Sequence, residues 1–180
     1  MRIIAGSRKG HTIAAPKGLG TRPTGDRVRE AAFNLIGPVD GATVLDLYAG
    51  SGAMGLEALS RGAASAVFVE ADAEAARTIE RNLDKLRLAG ATVLRHDART
   101  ALAGEAAALR TYDLVLVDPP YDEWARLEPR LAPYLAGVLA PDGLLVVETS
   151  SRTEPRLPLA ERTSRRYGSA RLTLYEHPRQ

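Results

Sequence analysis

Four consecutive residues, Asp118-Pro119-Pro120-Tyr121, form the segment of this chain best suited to chemistry. They follow the apolar run 113–117, which is typical of a strand buried in a parallel sheet. Two prolines must end that strand, because neither can donate to a ladder and each fixes φ. The loop therefore presents a carboxylate, backbone carbonyls and an aromatic ring, a set that suits a planar amine. The structural alternative is a Pro-Pro turn with a solvated Asp118 and a half-buried Tyr121.

A glycine-rich segment, 48–55, lies between a second apolar strand pattern and a helical one. Strand, glycine turn and helix together bring backbone N–H groups and a helix N-terminus against a nucleotide ligand. The spacing of Gly50, Gly52 and Gly55 fits the dinucleotide fingerprint, which alone is a weak signal. Asp46 ends the preceding strand, where a carboxylate would repel a pyrophosphate but could hold the ammonium of an amino-acid moiety. The pattern therefore favours S-adenosylmethionine over NAD.

Two further predicted strands end at acidic residues. Glu70 ends strand 66–70 and lies 18 residues beyond Gly52, so it is placed to accept hydrogen bonds from ribose hydroxyls. Its structural alternative is a carboxylate at a helix N-terminus, where anions are favoured. Asp97 could meet the adenine amino group or serve as the N-cap of the predicted helix 98–109. Both acids extend the predicted cofactor site along one sheet edge.

Taken together, segments 46–52, 97–98 and 118–121 resemble the class I S-adenosylmethionine-dependent amino-methyltransferases. A closer resemblance, to the RsmD-type small-subunit ribosomal RNA guanine-N2 methyltransferases, is carried by segments 2–6, 21–30, 31–36 and 52–62. The match covers nearly the whole chain and thins after about residue 150. Two residues depart from the family pattern, Tyr48 where Phe is usual and Gly25 where Ser is usual. Neither change removes a group assigned to chemistry.

This resemblance implies transfer of a methyl group from S-adenosylmethionine to the exocyclic N2 amine of a guanine in small-subunit ribosomal RNA or the assembling subunit. The implied catalytic residues are Asp118, Pro119, Pro120 and Tyr121. The implied cofactor-binding residues are Asp46, Tyr48, Ala49, Gly50, Ser51, Gly52, Glu70, Ala71, Asp97 and Ala98. Three alternatives stay open: an adenine-N6 amino-methyltransferase using the same loop, an NAD-dependent oxidoreductase, and a catalytically silent nucleic-acid-binding module.

Composition narrows the class of protein. A chain of 180 residues without cysteine predicts one domain with a sizeable core, no disulfide framework and no thiolate metal site. The three histidines lack metal-ligand spacing, so we expect no metal. No apolar run approaches 18 residues and no signal-peptide pattern opens the chain, so we expect a cytoplasmic protein with no membrane partner. We also expect a monomer.

Charge is divided unevenly along the chain. Residues 1–30 carry a net +5 and residues 150–180 a net +4, whereas residues 31–149 carry −7. Basic ends around an acidic body suit binding of a phosphate backbone, although solvated surface arginines are the plain alternative. We expect the N-terminal arm to fold over the substrate side of the site. The predicted RNA-binding residues are Arg8, Lys9, Arg22, Arg27 and Arg29.

The pattern of elements predicts a doubly wound, Rossmann-like α/β methyltransferase sheet. It is mostly parallel, with a C-terminal antiparallel hairpin and a short N-terminal β-hairpin arm. We expect an arm over 1–25 and a catalytic domain over 26–180. Strands are predicted at 2–6, 11–15, 43–47, 66–70, 91–96, 113–118, 143–149, 162–167 and 170–176. Helices are predicted at 26–36, 53–61, 72–88, 98–109 and 123–139.

Overall fold

A computed structural model describes residues 1–16 and 25–179, without the side chain of Tyr121. Seven strands form one sheet: β1 Thr43–Leu47, β2 Ser65–Val69, β3 Ala91–Leu94, β4 Tyr112–Val117, β5 Leu139–Ser150, β6 Ala160–Tyr167 and β7 Ala170–Glu176. The helices are α1 Asp26–Ile36, α2 Ala53–Ser60, α3 Ala73–Leu86, α4 Ala98–Ala107 and α5 Trp124–Val138, with a 3-10 turn at Tyr121–Glu123. Within the described part of the chain, no helix is both long and apolar enough to cross a membrane.

The sheet order is β3-β2-β1-β4-β5-β7-β6. Strands β1 to β5 run parallel, and β7 is antiparallel to both β5 and β6. The predicted fold class is therefore confirmed. Chain order reverses direction across the sheet at the β1–β4 pair, where ligands bind in doubly wound folds.

One hydrophobic core covers each face of the sheet. Phe68 and Leu56 belong to the core under α1, α2 and α3, whereas Trp124 and Leu131 belong to the core under α4 and α5. Because both faces are covered, the parallel strands are apolar along nearly their whole length, as the sequence predicted. The covered faces leave the ends of the strands as the open part of the sheet.

Several element boundaries differ from the predicted ones. Strand β5 begins at Leu139, which pairs with Tyr112 before an irregularity in the ladder. Residues 140–142, which separate the predicted helix from the predicted strand, form part of this irregular strand start. Helix α3 ends at Leu86, two residues early, because Arg87 adopts a left-handed conformation with φ 49°. The predicted N-terminal hairpin is a single antiparallel bridge between Arg2 and Thr12.

The N-terminal arm is held by a buried carboxylate on α2. Glu57 accepts hydrogen bonds from the backbone N–H groups of Ile4 and Ala5, at 2.8 Å and 2.9 Å. It also pairs with Arg61 at 2.8 Å and with Arg29 at 3.6 Å. A buried carboxylate needs such partners, since unpaired burial of a charge is strongly unfavourable. The arm is thus attached to the helical layer at the same point as α1.

Helix α2 packs unusually close to the sheet at Gly55. A Cβ built on Gly55 would lie 2.4 Å from Cε1 of Phe68 and 3.0 Å from a carboxylate oxygen of Asp46. Both neighbours are buried, so neither can move aside freely. The absence of a side chain at residue 55 therefore sets the distance between α2 and strands β1 and β2.

We expect Gly55→Ala to lower the free energy of unfolding by about 1–3 kcal/mol, the usual cost of overpacking a core. Gly104→Ala is the matched control, because Gly104 is also helical but a Cβ there meets nothing within 4 Å. That control should raise stability by about 0.5–1 kcal/mol through helix propensity. Urea unfolding of both variants makes the measurement, and equal effects of the two substitutions would contradict the proposed close packing.

Candidate active site

The site begins where two neighbouring parallel strands end together. Leu47 of β1 pairs in register with Val117 of β4, so Tyr48 and Asp118 leave the sheet side by side. The backbone N–H of Asp118 donates to the carbonyl of Leu47 at 3.5 Å. The structure therefore brings the glycine-rich segment and the Asp-Pro-Pro-Tyr loop together at the reversal point of the sheet.

The glycine-rich loop turns tightly through two left-handed glycines. Gly50 has φ 57° and Gly52 has φ 78°, a region in which glycine carries no steric penalty. The N–H of Gly52 donates to the carbonyl of Ala49 at 2.7 Å, and the N–H of Ala49 donates to Val69 at the end of β2. Gly52 is then the N-cap of α2, so the turn places the start of that helix at the strand ends.

Glu70 connects the glycine loop to the end of β2. One carboxylate oxygen accepts from the N–H of Gly50 at 2.8 Å, and the other accepts from the N–H of Asp72 at 2.8 Å. The N-cap of α3 is Asp72, whose side chain accepts from Glu74 and Ala75, so Glu70 does not serve as the helix cap. Each oxygen of Glu70 retains a second lone pair. Ribose hydroxyls could therefore bind a carboxylate that backbone groups already orient.

Asp46 lies beneath the loop rather than at its surface. It is 2% exposed, and its carboxylate accepts from the N–H of Gly55 at 2.9 Å. Burial raises the pKa of this carboxyl from 3.8 to about 7, with a smaller upward contribution from the charge of Glu70, while the Gly55 hydrogen bond lowers it. A nearby ammonium would favour the charged form, so the predicted cofactor contact suits this environment.

Tyr48 is held in an unusual backbone conformation. Its φ of 60° is uncommon for a bulky residue, and such strain persists only where the surroundings impose it. Burial raises the pKa of its hydroxyl to about 12, and the charges of Asp97 and Glu123 contribute further. Tyr48 therefore lies between the predicted adenine end of the site and the start of α5.

Asp97 takes the N-cap position of α4. Its side chain accepts from the N–H of Thr100 at 3.0 Å, which is the structural role considered for it. Asp97 is exposed at the same sheet edge as Glu70, while Ala98 is buried and Ala71 is exposed. The adenine contact stays a prediction, since a capping carboxylate keeps further lone pairs.

The Asp-Pro-Pro-Tyr loop has a graded exposure. Asp118 is half-buried, Pro119 is buried and Pro120 is exposed. Tyr121 begins the 3-10 turn that leads into α5, and its ring, which the sequence predicts to face a planar amine, lies outside the described atoms. The loop is thus fixed at both ends by regular structure, with β4 before it and α5 after it.

The predicted RNA-binding role of Arg29 is wrong. Its side chain is 0% exposed, and it pairs with Asp26 at 2.9 Å and with Glu57 at 3.6 Å. It also donates to the backbone carbonyl of Arg2. A guanidinium inside this cluster cannot reach a phosphate, so Arg29 holds α1 against α2 and the arm.

The arm turn at Arg8 and Lys9 also lies elsewhere than predicted. The backbone of Arg8 donates to the Ser60 hydroxyl, and its guanidinium donates to the carbonyls of Leu86 and Arg87. These partners end α2 and α3, and helices in this fold run back from the strand ends that carry the site. Because α3 has 14 residues, the turn lies about 20 Å from the site edge. The predicted position of this turn over the substrate side is therefore wrong, whereas the expectation for the arm as a whole stays a prediction, because residues 17–24 lie outside the described residues.

The remaining predicted basic residues divide in two. Arg22 lies outside the described residues. Arg27 is exposed on the first turn of α1, next to Asp26, which pairs with Arg2 at 3.7 Å. The sulfur of Met1 lies 4.0 Å from the hydroxyl of Ser51 in the glycine loop. Arg27 is therefore on the site side of the molecule, and its RNA contact stays a prediction.

One residue that positions the site was not predicted from the sequence. Asn82 on α3 donates to the carbonyl of Ser51 at 3.1 Å and exchanges hydrogen bonds with the backbone of Ala14 at 2.8 Å and 3.0 Å. It is 1% exposed, on the helix face that buries Ile79 and Leu86. A polar residue in this apolar stripe was the available signal, since buried amides are kept where they have partners.

The described residues do not meet the ligand requirements of a metal-binding site. Across residues 1–16 and 25–179, no three His, Asp or Glu side chains are grouped so that they could hold an ion. The acids at the site edge instead contact backbone N–H groups, as Asp46, Glu70 and Asp97 do.

Asp46 should make stability depend on pH. Its carboxyl titrates near 3.8 in the unfolded chain and near 7 in the folded one, so the folded protein binds more protons between these values. The contribution of Asp46 to the free energy of unfolding should therefore fall as pH rises from about 4 to about 7, at up to about 1.4 kcal/mol per pH unit. Asp46→Asn should remove this component.

Urea unfolding at several pH values measures the pH-dependent contribution of Asp46 to stability. Asp84→Asn, on the exposed face of α3, is the control. Wild-type and Asp46→Asn curves that stay parallel from pH 4 to 8 would contradict the assignment.

Comparison with known proteins agrees with this geometry. Residues 1–176 match the family model described as Conserved hypothetical protein 95. The chain is 40% identical over 159 residues to Ribosomal RNA small subunit methyltransferase D of Escherichia coli K12, covering 88% of this chain and 78% of that protein. The solved structure of yhhF from Escherichia coli is 34% identical, with a TM-score of 0.85, and the alignment covers 100% of this chain and 99% of that one.

A more distant structure, the SAM-dependent methyltransferase from Agrobacterium tumefaciens, shares the fold. Its TM-score is 0.69 at 19% identity, and the alignment covers 89% of this chain and 64% of that one. The full-length match to the family model, together with the 40% identity to the Escherichia coli enzyme, decides the relationship. This chain belongs to the Conserved hypothetical protein 95 family, alongside ribosomal RNA small subunit methyltransferase D.

Proposed function

We propose that this chain is an S-adenosylmethionine-dependent methyltransferase that modifies the exocyclic N2 amine of a guanine in small-subunit ribosomal RNA. The observation that carries the proposal is the pairing of Leu47 with Val117, which sets the glycine loop beside the Asp-Pro-Pro-Tyr loop. One loop suits the methyl donor and the other suits the amine acceptor. Their adjacency is what a transfer between two bound molecules requires.

The residues present fit S-adenosylmethionine. Gly50 offers a backbone that a ligand can approach, because a Cβ built there would meet only the carbonyl of Tyr48, at 4.0 Å. Glu70 would hold the ribose, and Asp46 would stabilise the ammonium from below the loop. Bound S-adenosylmethionine supplies a methyl group carried on a positively charged sulfur. The acids Asp46, Glu70 and Asp97 complement a cationic ligand better than an anionic dinucleotide, which argues against NAD.

The Asp-Pro-Pro-Tyr loop would act on the amine. The exocyclic amine nitrogen of guanine is a weak nucleophile, because its lone pair is delocalised into the ring. The Asp118 carboxylate and the Pro119 carbonyl would accept hydrogen bonds from the two N–H groups of the amine, which would orient the nitrogen and localise its lone pair. The loop contributes mainly position, since β4 and α5 fix both its ends. The amine proton can leave to water after transfer, so Asp118 need not be a strong base.

The substrate class follows from the family. A relative at 40% identity is named for the small ribosomal subunit RNA, and this chain has a sequence pI near 9.1. A basic protein suits a polyanionic substrate. A guanine would have to be splayed out of its helix or loop to reach Asp118. Action on ribosomal RNA during subunit assembly would place the protein in the cytoplasm.

The direct test is methylation of small-subunit ribosomal RNA transcribed in vitro, followed by digestion to nucleosides and mass spectrometry. N2-methylguanosine is the expected product. N6-methyladenosine would instead support the adenine-N6 alternative. No methyl transfer to this RNA or to assembling small subunits would refute the proposal.

In the same assay, Asp118→Ala should lower turnover by at least roughly 100-fold, because the amine loses an acceptor that orients it. Affinity for S-adenosylmethionine should stay unchanged by calorimetry. Asp122→Ala is the matched control, since it removes an exposed carboxylate four residues away in the same loop and should keep near-wild-type turnover. Equal turnover in the two variants would show that Asp118 only ends the strand.

In this proposal, Glu70 contributes to the binding of S-adenosylmethionine. Glu70→Ala should weaken binding of S-adenosylmethionine by about 1.5–3 kcal/mol, the value of a hydrogen bond to a charged group. Isothermal titration calorimetry measures the change. Glu74→Gln controls for removing a nearby negative charge, because Glu74 pairs only with Arg77 and Arg81 on the surface of α3 in the contacts described. An unchanged affinity in Glu70→Ala would limit Glu70 to supporting the loop.

A further inference from the structure

The tip of the C-terminal hairpin lies on the same side of the sheet as the site, the side formed by the carboxyl ends of the parallel strands. Ser150, which ends β5, pairs with Ala170 at the start of β7, and Ala170 pairs with Tyr167 at the end of β6. Strand β5 runs parallel to β4 with Val147 opposite Val117, so Ser150 lies two residues beyond the level of Asp118 in the same direction. The sequence placed this hairpin at the end of the chain without showing which edge its turn occupies.

The tip of the hairpin is close to the Asp-Pro-Pro-Tyr loop. Strand β7 is two positions from β4 in the sheet, and β6 is three. Neighbouring strands lie about 4.8 Å apart, so the tip is displaced sideways from the end of β4 by roughly 10–15 Å and along the strand direction by roughly 7 Å. A nucleotide bound at Asp118 would have its neighbours along the chain within that span. The tip therefore lies within reach of the phosphates that flank a target base.

A buried arginine fixes the tip. The Arg171 side chain is 8% exposed and donates to Glu154 at 3.0 Å, to the Ser164 hydroxyl at 3.0 Å and to the Ser151 carbonyl at 3.3 Å. The N–H of Ser151 also donates to the Ser169 carbonyl at 2.8 Å. These bonds connect the turn after β5 to the hairpin. Because Arg171 neutralises Glu154, the carboxylate does not cancel the exposed cations around it.

Two arginines of this fixed surface face solvent. Arg152 is exposed in the turn between Ser150 and Thr153, whose backbone closes at 3.0 Å. The Arg166 side chain is 65% exposed and lies 4.0 Å from Glu154, a contact of little energetic weight at the surface. Both side chains keep their donors available for a further partner. Guanidinium groups bind phosphate in a bidentate manner, which makes them suitable for an RNA backbone.

We propose that Arg152 and Arg166 form a phosphate clamp that holds ribosomal RNA beside the target base. The inference rests on the proposed function, since it assumes an RNA whose guanine enters at Asp118. It replaces the predicted role of the Arg8–Lys9 turn, which lies at the opposite edge with its arginine bound to helix carbonyls. The clamp acts on substrate binding and has no part in holding the cofactor.

The test compares two double variants with the same net charge. Arg152→Gln with Arg166→Gln removes two cations from the site edge. Lys9→Gln with Arg162→Gln removes two exposed cations from the opposite edge, because Arg162 lies near the start of β6 by Asp113 and Asp142. Binding of unmethylated small-subunit ribosomal RNA, transcribed in vitro, is measured for wild type and both variants across a salt series.

The site-edge variant should bind RNA at least roughly tenfold more weakly at low salt, with a salt slope shallower by about 1.4–1.8 for two lost phosphate contacts. The opposite-edge variant should follow the wild type. Equal losses in both variants would show that only net charge matters, and no loss in either would leave the clamp without a role. Both results overturn the proposal, as does wild-type binding that does not depend on salt.

Two further measurements keep the outcomes separate. Thermal unfolding and S-adenosylmethionine affinity should be unchanged in the site-edge variant, and Arg152→Gln alone provides a milder version that leaves the Glu154 contacts intact. If the wild type methylates ribosomal RNA and the site-edge variant binds that RNA as tightly as the wild type does, the clamp is refuted but the proposed enzymatic activity is not. A wild type that binds RNA through these arginines without methylating it refutes the proposed function instead.

Discussion

The hydrogen bond from the Gly55 N–H to the Asp46 carboxylate, at 2.9 Å, fixes the geometry on which the site depends. It connects the end of β1 to the first turn of α2, and it forms only because residue 55 has no side chain between Asp46 and Phe68. The glycine loop is the short connection between these two fixed points, so its shape follows from their separation. The same contact keeps a carboxylate buried at 2% exposure, with a pKa raised to about 7. The buried carboxylate therefore lowers the stability of the fold, and in our proposal it holds the ammonium of the cofactor.

Backbone groups orient the acids of this edge before any ligand is present. Glu70 is held by two N–H groups and Asp97 by one, and each keeps lone pairs for a further donor. Such preorganisation limits the conformational entropy that binding would otherwise cost. The strained backbone of Tyr48, with φ 60°, lies at the junction of these groups and the start of α5. The site is thus a set of short loops whose ends are all regular structure.

The two edges of the sheet divide the basic residues of the molecule by role. At the edge away from the site, Arg8 donates to carbonyls at the C-terminal end of α3. In the layer of α1 and α2, the buried Arg29 joins helix and arm through Asp26 and Glu57. These arginines stabilise the fold. Arg152, in the turn after β5, and Arg166, opposite Arg171 near the end of β6, keep exposed guanidinium groups at the site edge. The same residue type therefore serves packing in one place and, in our proposal, RNA binding in the other.

The sequence by itself determined the order of strands and helices, the fold class and the placement of Asp46, Glu70, Asp97 and Asp118 at strand ends. These features follow from local rules: apolar runs define buried strands, and glycine and proline end them. The predicted boundaries of β5 and α3 were wrong, because a bulge and a left-handed Arg87 depend on packing. Only the tertiary structure decided which arginines are buried and which edge each one occupies. That depends on the direction of each helix and on the antiparallel return of β7, which are set by contacts between residues far apart in the chain.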